Sequence, residues 1–364
     1  MSKNNVLSVF LMAAVGAFLL LACAEPPVDT QVETEASASP EPEVPFRDPR
    51  LADFSPLPEY MDSSENPTSL AKVNLGRKLY YDVRLSKNHD VSCNTCHQLD
   101  KYGVDGLPTP VGHLEQVGSR NSPTVYNAAG HIAQFRDGRV ITVEDQAKES
   151  LVNPMEMAMP DEAAVETVLK SIPGYEPLFA AAFAESEDPI TYDHMAKAIG
   201  AFERGLVTYS RFDDYLAGDD AALNKVEQAG LVAFMDAGCI TCHTGVYVGG
   251  GMYKKLGLVQ PWGNDADQGR YDVTGEDSDR QVFKVPSLRN ISHTGPYFHD
   301  GSVSSLNEAV RLMAEHQLGL PVSNEQVISI IAFLNSLEGS IDEDYIAIPE
   351  LPASGETTPA PDPT

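Results

Sequence analysis

The residues Cys93-Asn94-Thr95-Cys96-His97 return in kind as Cys239-Ile240-Thr241-Cys242-His243. Two thiols three positions apart, followed at once by an imidazole, suit three chemistries: a redox dithiol, half of a zinc site, or a covalent haem anchor. A redox dithiol belongs beside a βαβ pattern, and none surrounds either string. A four-cysteine zinc ribbon brings its halves within about 20 residues, whereas 142 residues lie between Cys96 and Cys239. The haem reading uses every letter. Each thiol pair bonds to porphyrin vinyls, and His97 or His243 is placed to ligate iron from one side.

The elements that must position these strings repeat as well. SPTVYNAAGHIAQFRDG follows the first string and VPSLRNISHTGPYFHDG the second, so that Pro123 matches Pro286, Asn127 matches Asn290, Phe135 matches Phe298, and Asp137-Gly138 matches Asp300-Gly301. Before each string runs a stretch with apolar residues recurring at three and four, LAKVNLGRKLYYD and KVEQAGLVAFMDA, which predicts a helix. After each Asp-Gly comes a capping-box pattern, Thr142 to Asp145 and Ser305 to Glu308. Strand patterns are scarce. The expected fold is mostly α: two cytochrome-c-like haem domains related by internal duplication, over 51–220 and 221–345.

The two copies differ in what they offer iron. The second has Met313 on the helical face shared by Leu306 and Val310. Such a residue is packing or, in a haem domain, a thioether ligand opposite His243 that raises the potential; Met252 is the weaker candidate. The first has Ser150 at the matching position and offers His113 in a glycine-bearing loop, either a surface histidine or a ligand able to leave. Gln146 and Glu156 follow. Glu156, inside NPMEMAMP, is expected among apolar neighbours, which raises a carboxyl pKa and suits proton transfer; the three methionines are read as packing. The Asp-rich loop GNDADQGRYDVTGEDSD has Arg270 where an EF-hand needs glycine, and is read as a solvated loop.

Outside these segments the chain is polar and acidic. Residues 24–45 and 346–364 are rich in Pro, Glu, Ser and Thr, and the expectation is a disordered tether over 24–50 and a disordered tail over 346–364. The net charge is −28. Such a chain is a poor partner for nucleic acid. Residues 1–23 carry Lys3 and an apolar run from Val6 to Ala22, either a secretory signal or an uncleaved membrane helix. Leu20-Leu21-Ala22-Cys23 resembles the lipobox of bacterial lipoproteins. That resemblance implies a lipidated Cys23 and a membrane-anchored protein on the periplasmic side.

From Leu70 to Leu337 the chain resembles the bacterial dihaem cytochrome c peroxidases, through both CxxCH strings, NSPT, DGR, NPMEM, VFKVPSLRN and PYFHDG. The resemblance implies two covalent haem c groups and reduction of hydrogen peroxide with electrons from a small c-type cytochrome or a blue copper protein. His97 would be the proximal ligand of the peroxidatic haem and His113 its displaceable distal ligand. Gln146 and Glu156 would form the polar pair of the peroxide pocket, and His243 and Met313 the axial pair of the electron-transfer haem. A Ca²⁺ ion would take the Asn121 side chain and the carbonyls of Thr294 and Pro296. A homodimer is also implied. The chain departs from the family at Arg136, where a tryptophan is usual, and its one tryptophan is Trp262. Arg136 pairs with haem propionates, or inter-haem transfer follows another path. Two rival readings stand beside this one: a dihaem electron carrier without catalysis, and a dihaem oxidase of a protein substrate. Related oxidases use tyrosine where Met313 stands.

Overall fold

Most helices here begin where a side-chain oxygen can satisfy the first free backbone amides. In the computed structural model, which describes residues 47–364, α1 (Leu70–Tyr81) opens at Ser69, whose hydroxyl accepts from the Lys72 amide at 3.2 Å. The short α2 (Cys93–Cys96) holds the first string, with Ser92 and Thr95 capping each other. There follow α3 (Val143–Val152), α4 (Glu162–Lys170), α5 (Tyr175–Ala182), α6 (Tyr192–Glu203), α7 (Arg211–Ala217), α8 (Lys225–Asp236), α9 (Tyr271–Thr274), α10 (Leu306–Met313), α11 (Asn324–Asn335) and α12 (Glu343–Ile346). Both stretches expected to be helical before the strings form α1 and α8. Thr142 caps α3, its hydroxyl accepting from the Asp145 amide at 3.1 Å, whereas Ser305 starts α10 without a side-chain bond. The described residues contain a single sheet, in which β1 (Tyr253–Lys255) pairs antiparallel with β2 (Val282–Lys284). The mostly helical expectation holds. No helix among them is long and apolar enough to cross a membrane. The signal, the tether up to residue 46 and Cys23 lie outside the described residues.

Two helix crossings organise the core. Gly76 of α1 lies against α6 so closely that a Cβ would meet the Ala198 carbonyl oxygen at 1.9 Å, and Gly230 of α8 stands to Ser329 of α11 in the same way, also at 1.9 Å. Phe202 and Phe333 lie next to each contact. Around the first crossing, Leu75, Leu79, Val165, Phe179, Ile199 and Phe202 bury one apolar cluster; around the second, Phe212, Leu231, Phe234, Ile330 and Phe333 bury another. The expected boundaries at 51, 220 and 345 cut across these clusters. Phe54, Phe212 and Tyr215 pack into the second, while Ile346, with Tyr345 beside it, packs into the first.

The segment expected as a disordered tail is ordered by backbone bonding. Arg84 donates to the Pro352 carbonyl at 2.9 Å and to Ser354 at 3.0 Å, Ser171 donates to Thr358 at 3.0 Å, and the Asp362 amide donates to the Lys87 carbonyl at 3.0 Å. Donors on the first half supply what apolar burial does not.

Polar residues join the two halves. Asn127 and Asn290, the matched asparagines, both lie in the left-handed region (φ 61° and 60°) and are fully buried. Each donates its side-chain amide to the hydroxyl of Thr208 at 2.8 Å. Arg289 makes a bidentate pair with Asp213 at 2.7 and 2.8 Å, both side chains wholly buried. Just past α6, Arg204 binds Glu144 at 2.9 and 3.1 Å, and Glu203, the last residue of that helix, is 4% exposed. Burial, reinforced by the Glu144 charge and opposed by Arg204, lifts the Glu203 carboxyl to about 8.

Thr208→Val keeps the shape but leaves two buried amide donors without an acceptor. A loss of about 2–5 kcal/mol is expected in guanidinium unfolding of the haem-loaded protein, largely restored in Thr208→Ser. Glu203 keeps its proton to about pH 8 in the fold and loses it near pH 4.3 when unfolded, so it removes stability as pH rises across that window and no further above it. Glu203→Gln should therefore exceed the wild type in unfolding free energy by a few kcal/mol at pH 8, with the gap closing towards pH 4.5; equal stability at pH 8 would rule this out.

Candidate functional site

The first string is set by local sequence. The Ser92–Thr95 caps close one helical turn, which turns Cys93, Cys96 and His97 toward a cavity of about 210 Å³. Burial raises both thiols, Cys93 the more strongly. Redox dithiols need lowered thiol pKa values, so this environment argues against that chemistry. His97 sits with Nδ1 3.4 Å from the Gly103 carbonyl, and burial pulls its imidazole below the usual range, leaving it neutral. A neutral imidazole is the form that ligates metal.

The opposite wall brings together the residues expected to handle peroxide. Gln146, Ser150, Asn153 and Glu156 all line the same cavity. Gln146 comes from α3 and donates its amide to Ser150 Oγ at 2.8 Å. Glu156 is half-buried and accepts from the Asn153 side-chain amide at 2.8 Å, so its surroundings are not the apolar enclosure expected from NPMEMAMP. Met157 and Met159 are buried as packing residues, whereas Met155 is 40% exposed. His113 is buried, and neither ring nitrogen has a partner. The His113 amide donates to the Glu156 carbonyl at 2.9 Å, and a Cβ on Gly112 would lie 2.1 Å from the Met155 carbonyl oxygen. The histidine loop is thus seated directly on the turn that carries Glu156.

At the second string, Cys239 and Ile240 pack on the same apolar cluster as Leu306 and Val310 of α10. Burial draws the His243 imidazole down to about 4, against a smaller upward pull from the backbone of Val248 and Pro286; neither closes a hydrogen bond on Nδ1, which is buried and unpartnered. Met313 ends α10, half-buried, and the chain continues as a π-helix over Ala314–Leu318. Gln317 holds that wider turn by accepting from the Gly257 and Leu258 amides at 2.6 and 2.9 Å. Leu318 reaches to 3.9 Å from where a Cβ on Gly238 would lie, beside Cys239. Met252 is instead part of the β1 region, its carbonyl accepting from Val285.

Paired thiols, neutral imidazoles and buried ring nitrogens without partners fit two haem c groups. The calcium expectation does not fit. Asn121 joins the halves through its amide, which donates to the His299 carbonyl at 2.8 Å, but its side-chain oxygen accepts from Arg136 Nη2 at 2.6 Å and its side-chain nitrogen donates to the Leu107 carbonyl at 3.0 Å. At about 4 Å, with the screening usual near a protein surface, a divalent ion and a guanidinium repel by roughly 8 kcal/mol. Thr294 and Pro296 lie in the segment leading to His299.

Several residues that shape the site are not among those singled out from the sequence. Glu203 lines the cavity. It falls one turn after Ile199 on the buried side of α6, and an acid at an apolar position was the available sign. Arg120 holds Asp267 at 2.6 and 2.7 Å, so the loop expected to be solvated is tied down at that point. Lys284 is buried, donates to the Ala133 carbonyl at 2.7 Å, and is drawn down to about 7 by burial and by Arg136.

The sequence model of the di-haem cytochrome c peroxidase family matches residues 70–221. The cytochrome c551 peroxidase of Pseudomonas aeruginosa is 45% identical over 87% of this chain and 92% of its own length. That of Nitrosomonas europaea is 43% identical over 80% and 87%. Among solved structures, a MauG-like protein associated with microbial copper homeostasis superposes with a TM-score of 0.70 at 28% identity, covering 80% of this chain and 97% of that one. With paired anchors, a polar pair on one cavity wall and this degree of identity over nearly the whole length, the chain belongs to the di-haem cytochrome c peroxidase family.

Proposed function

We propose that this protein reduces hydrogen peroxide to two waters, taking up two protons and two electrons from a small c-type cytochrome or a blue copper protein. The observation that carries this reading is the convergence of Gln146 and Glu156 on the cavity walled by Cys93, Cys96 and His97. Bound haem supplies the iron redox chemistry that breaks the O–O bond. The protein supplies position and proton. Asn153 engages one oxygen of Glu156, and among the described residues nothing donates to the other. That oxygen takes the proton from one peroxide oxygen and returns it to the other, so the departing group is water rather than hydroxide. Ser150 engages the Gln146 amide nitrogen, so the side-chain oxygen of Gln146 is the acceptor it has to offer peroxide.

His97 would hold the first iron, with His113 as a second ligand that leaves. Two adjacent non-glycine residues of its loop, Leu114 and Glu115, are left-handed (φ 55° and 58°), a conformation that costs about 1–2 kcal/mol per residue. His243 and Met313 would saturate the second iron, which stores and delivers charge. Arg136, cationic and without a carboxylate in ion-pair reach among the described residues, suits pairing with the acidic edge of a haem. The matched glycine crossings, the matched left-handed asparagines and the matched bridges Gln134–Val140 and Tyr297–Val303 support an origin by duplication. Export to the periplasmic side, lipidation at Cys23 and pairing into a homodimer belong to the same reading and rest on the sequence.

Glu156→Gln should lower peroxide turnover about 100-fold or more with the absorption spectrum of both haems intact. Near-normal turnover would remove Glu156 from the reaction. A half-reduced protein whose two irons both stay six-coordinate, and which does not oxidise a reduced small cytochrome c on adding peroxide, would favour the electron carrier instead.

A further inference from the structure

The geometry points to Arg136 as a built-in cation that replaces a bound divalent metal where the two halves meet. Asn121 stands at that meeting point. Its backbone amide is bonded to His299 of the second half, and its two oxygens face one guanidinium, Oδ1 at 2.6 Å from Nη2 and the backbone carbonyl at 3.4 Å from Nε. The backbone of Arg136 is anchored across the same boundary, since its carbonyl accepts from the Lys284 amide at 2.8 Å. Arg136 is thus held at its backbone and at its guanidinium, which covers the side-chain oxygen that a hard cation would need.

The charged groups facing Arg136 decide its effect. Arg120 and Lys284 add positive charge, Asp300 opposes it, and Asp137 is engaged by Arg120. Even with burial drawing it down to about 10, Arg136 stays protonated at neutral pH. A divalent ion arriving here would meet a guanidinium already in place and an acceptor already in use. The boundary between the halves is therefore set by a covalently attached charge that no chelator removes, and the haem-loaded enzyme requires no calcium for its assembled form. This goes beyond the peroxide chemistry and does not depend on it.

The test uses the purified haem-loaded enzyme, with calcium measured by mass spectrometry after gel filtration and Tm recorded in excess chelator and in millimolar calcium. The wild type should retain no stoichiometric calcium, and its Tm and half-reduced spectrum should be the same in both buffers. Two variants remove the charge in different shapes, Arg136→Gln and Arg136→Trp. Whichever folds should gain a calcium-dependent rise in Tm that the wild type lacks, because a ligand that binds only the folded state stabilises it. Stoichiometric calcium in the wild type, or a wild-type Tm that falls in chelator, overturns the inference. So does a folded variant that binds no more calcium than the wild type.

Discussion

One hydroxyl, that of Thr208, accepts from two buried asparagine amides that come from opposite halves of the chain. A hydroxyl oxygen has two lone pairs, and both are used. The constraint extends outward from there, because each asparagine is also fixed by its backbone: the Asn127 amide donates to Leu206 and the Asn290 amide to Leu337. Their side-chain oxygens accept from the Thr208 and Gly339 amides. Each asparagine belongs to the segment that follows a CxxCH string, so the placement of the two haem-anchoring regions relative to each other is referred to a single buried atom. In so dry a setting an unmet donor is expensive, which makes the arrangement close to all-or-none.

Within that fixed frame the two halves diverge at one matched position. Where the second half ends α10 with Met313, the first has Ser150 inside α3. Ser150 has no thioether to offer iron, and its hydroxyl instead steadies Gln146. The serine at that position thus fixes a polar group on the wall of the cavity that Cys93, Cys96 and His97 line. In the second half the helix runs on into a π turn clasped by Gln317, a distortion that tends to accompany functional sites.

How far the sequence announced this can be judged residue by residue. The anchors, the two helices preceding them and the matched segments were legible because they depend on short-range patterns: fixed spacing, a 3.6-residue period, capping residues. Gln146 and Glu156 were legible through resemblance, and the cavity brings them together. The order of residues 346–364 was not legible, because it comes from Arg84, Ser171 and Lys87 meeting a polar backbone from far away in the chain. The packing across the expected domain limits was hidden for the same reason: Phe54 and Ile346 each join the other half's cluster. The contact between Arg136 and Asn121 spans only 15 residues, yet neither residue type predicts the other, and its effect on a metal site emerges only when the acceptor oxygen is seen to be taken.

The distribution of charge then has a physical sense. A chain with a net charge of −28 has negative charge to spare on its surface, but half-buried Arg120 and Arg136 and buried Lys284 are gathered together, where burial and mutual repulsion draw Arg136 and Lys284 below their usual range. Arg120 finds Asp137 and Asp267. Arg136 meets amide and carbonyl oxygens and Lys284 the Ala133 carbonyl and the His131 ring, but neither has a carboxylate in ion-pair reach among the described residues. Buried cations left without counter-ions weaken a fold unless something anionic completes them, and haem carries carboxylates. The same two residues are also joined through the backbone at the boundary between the halves, the Lys284 amide donating to the Arg136 carbonyl at 2.8 Å.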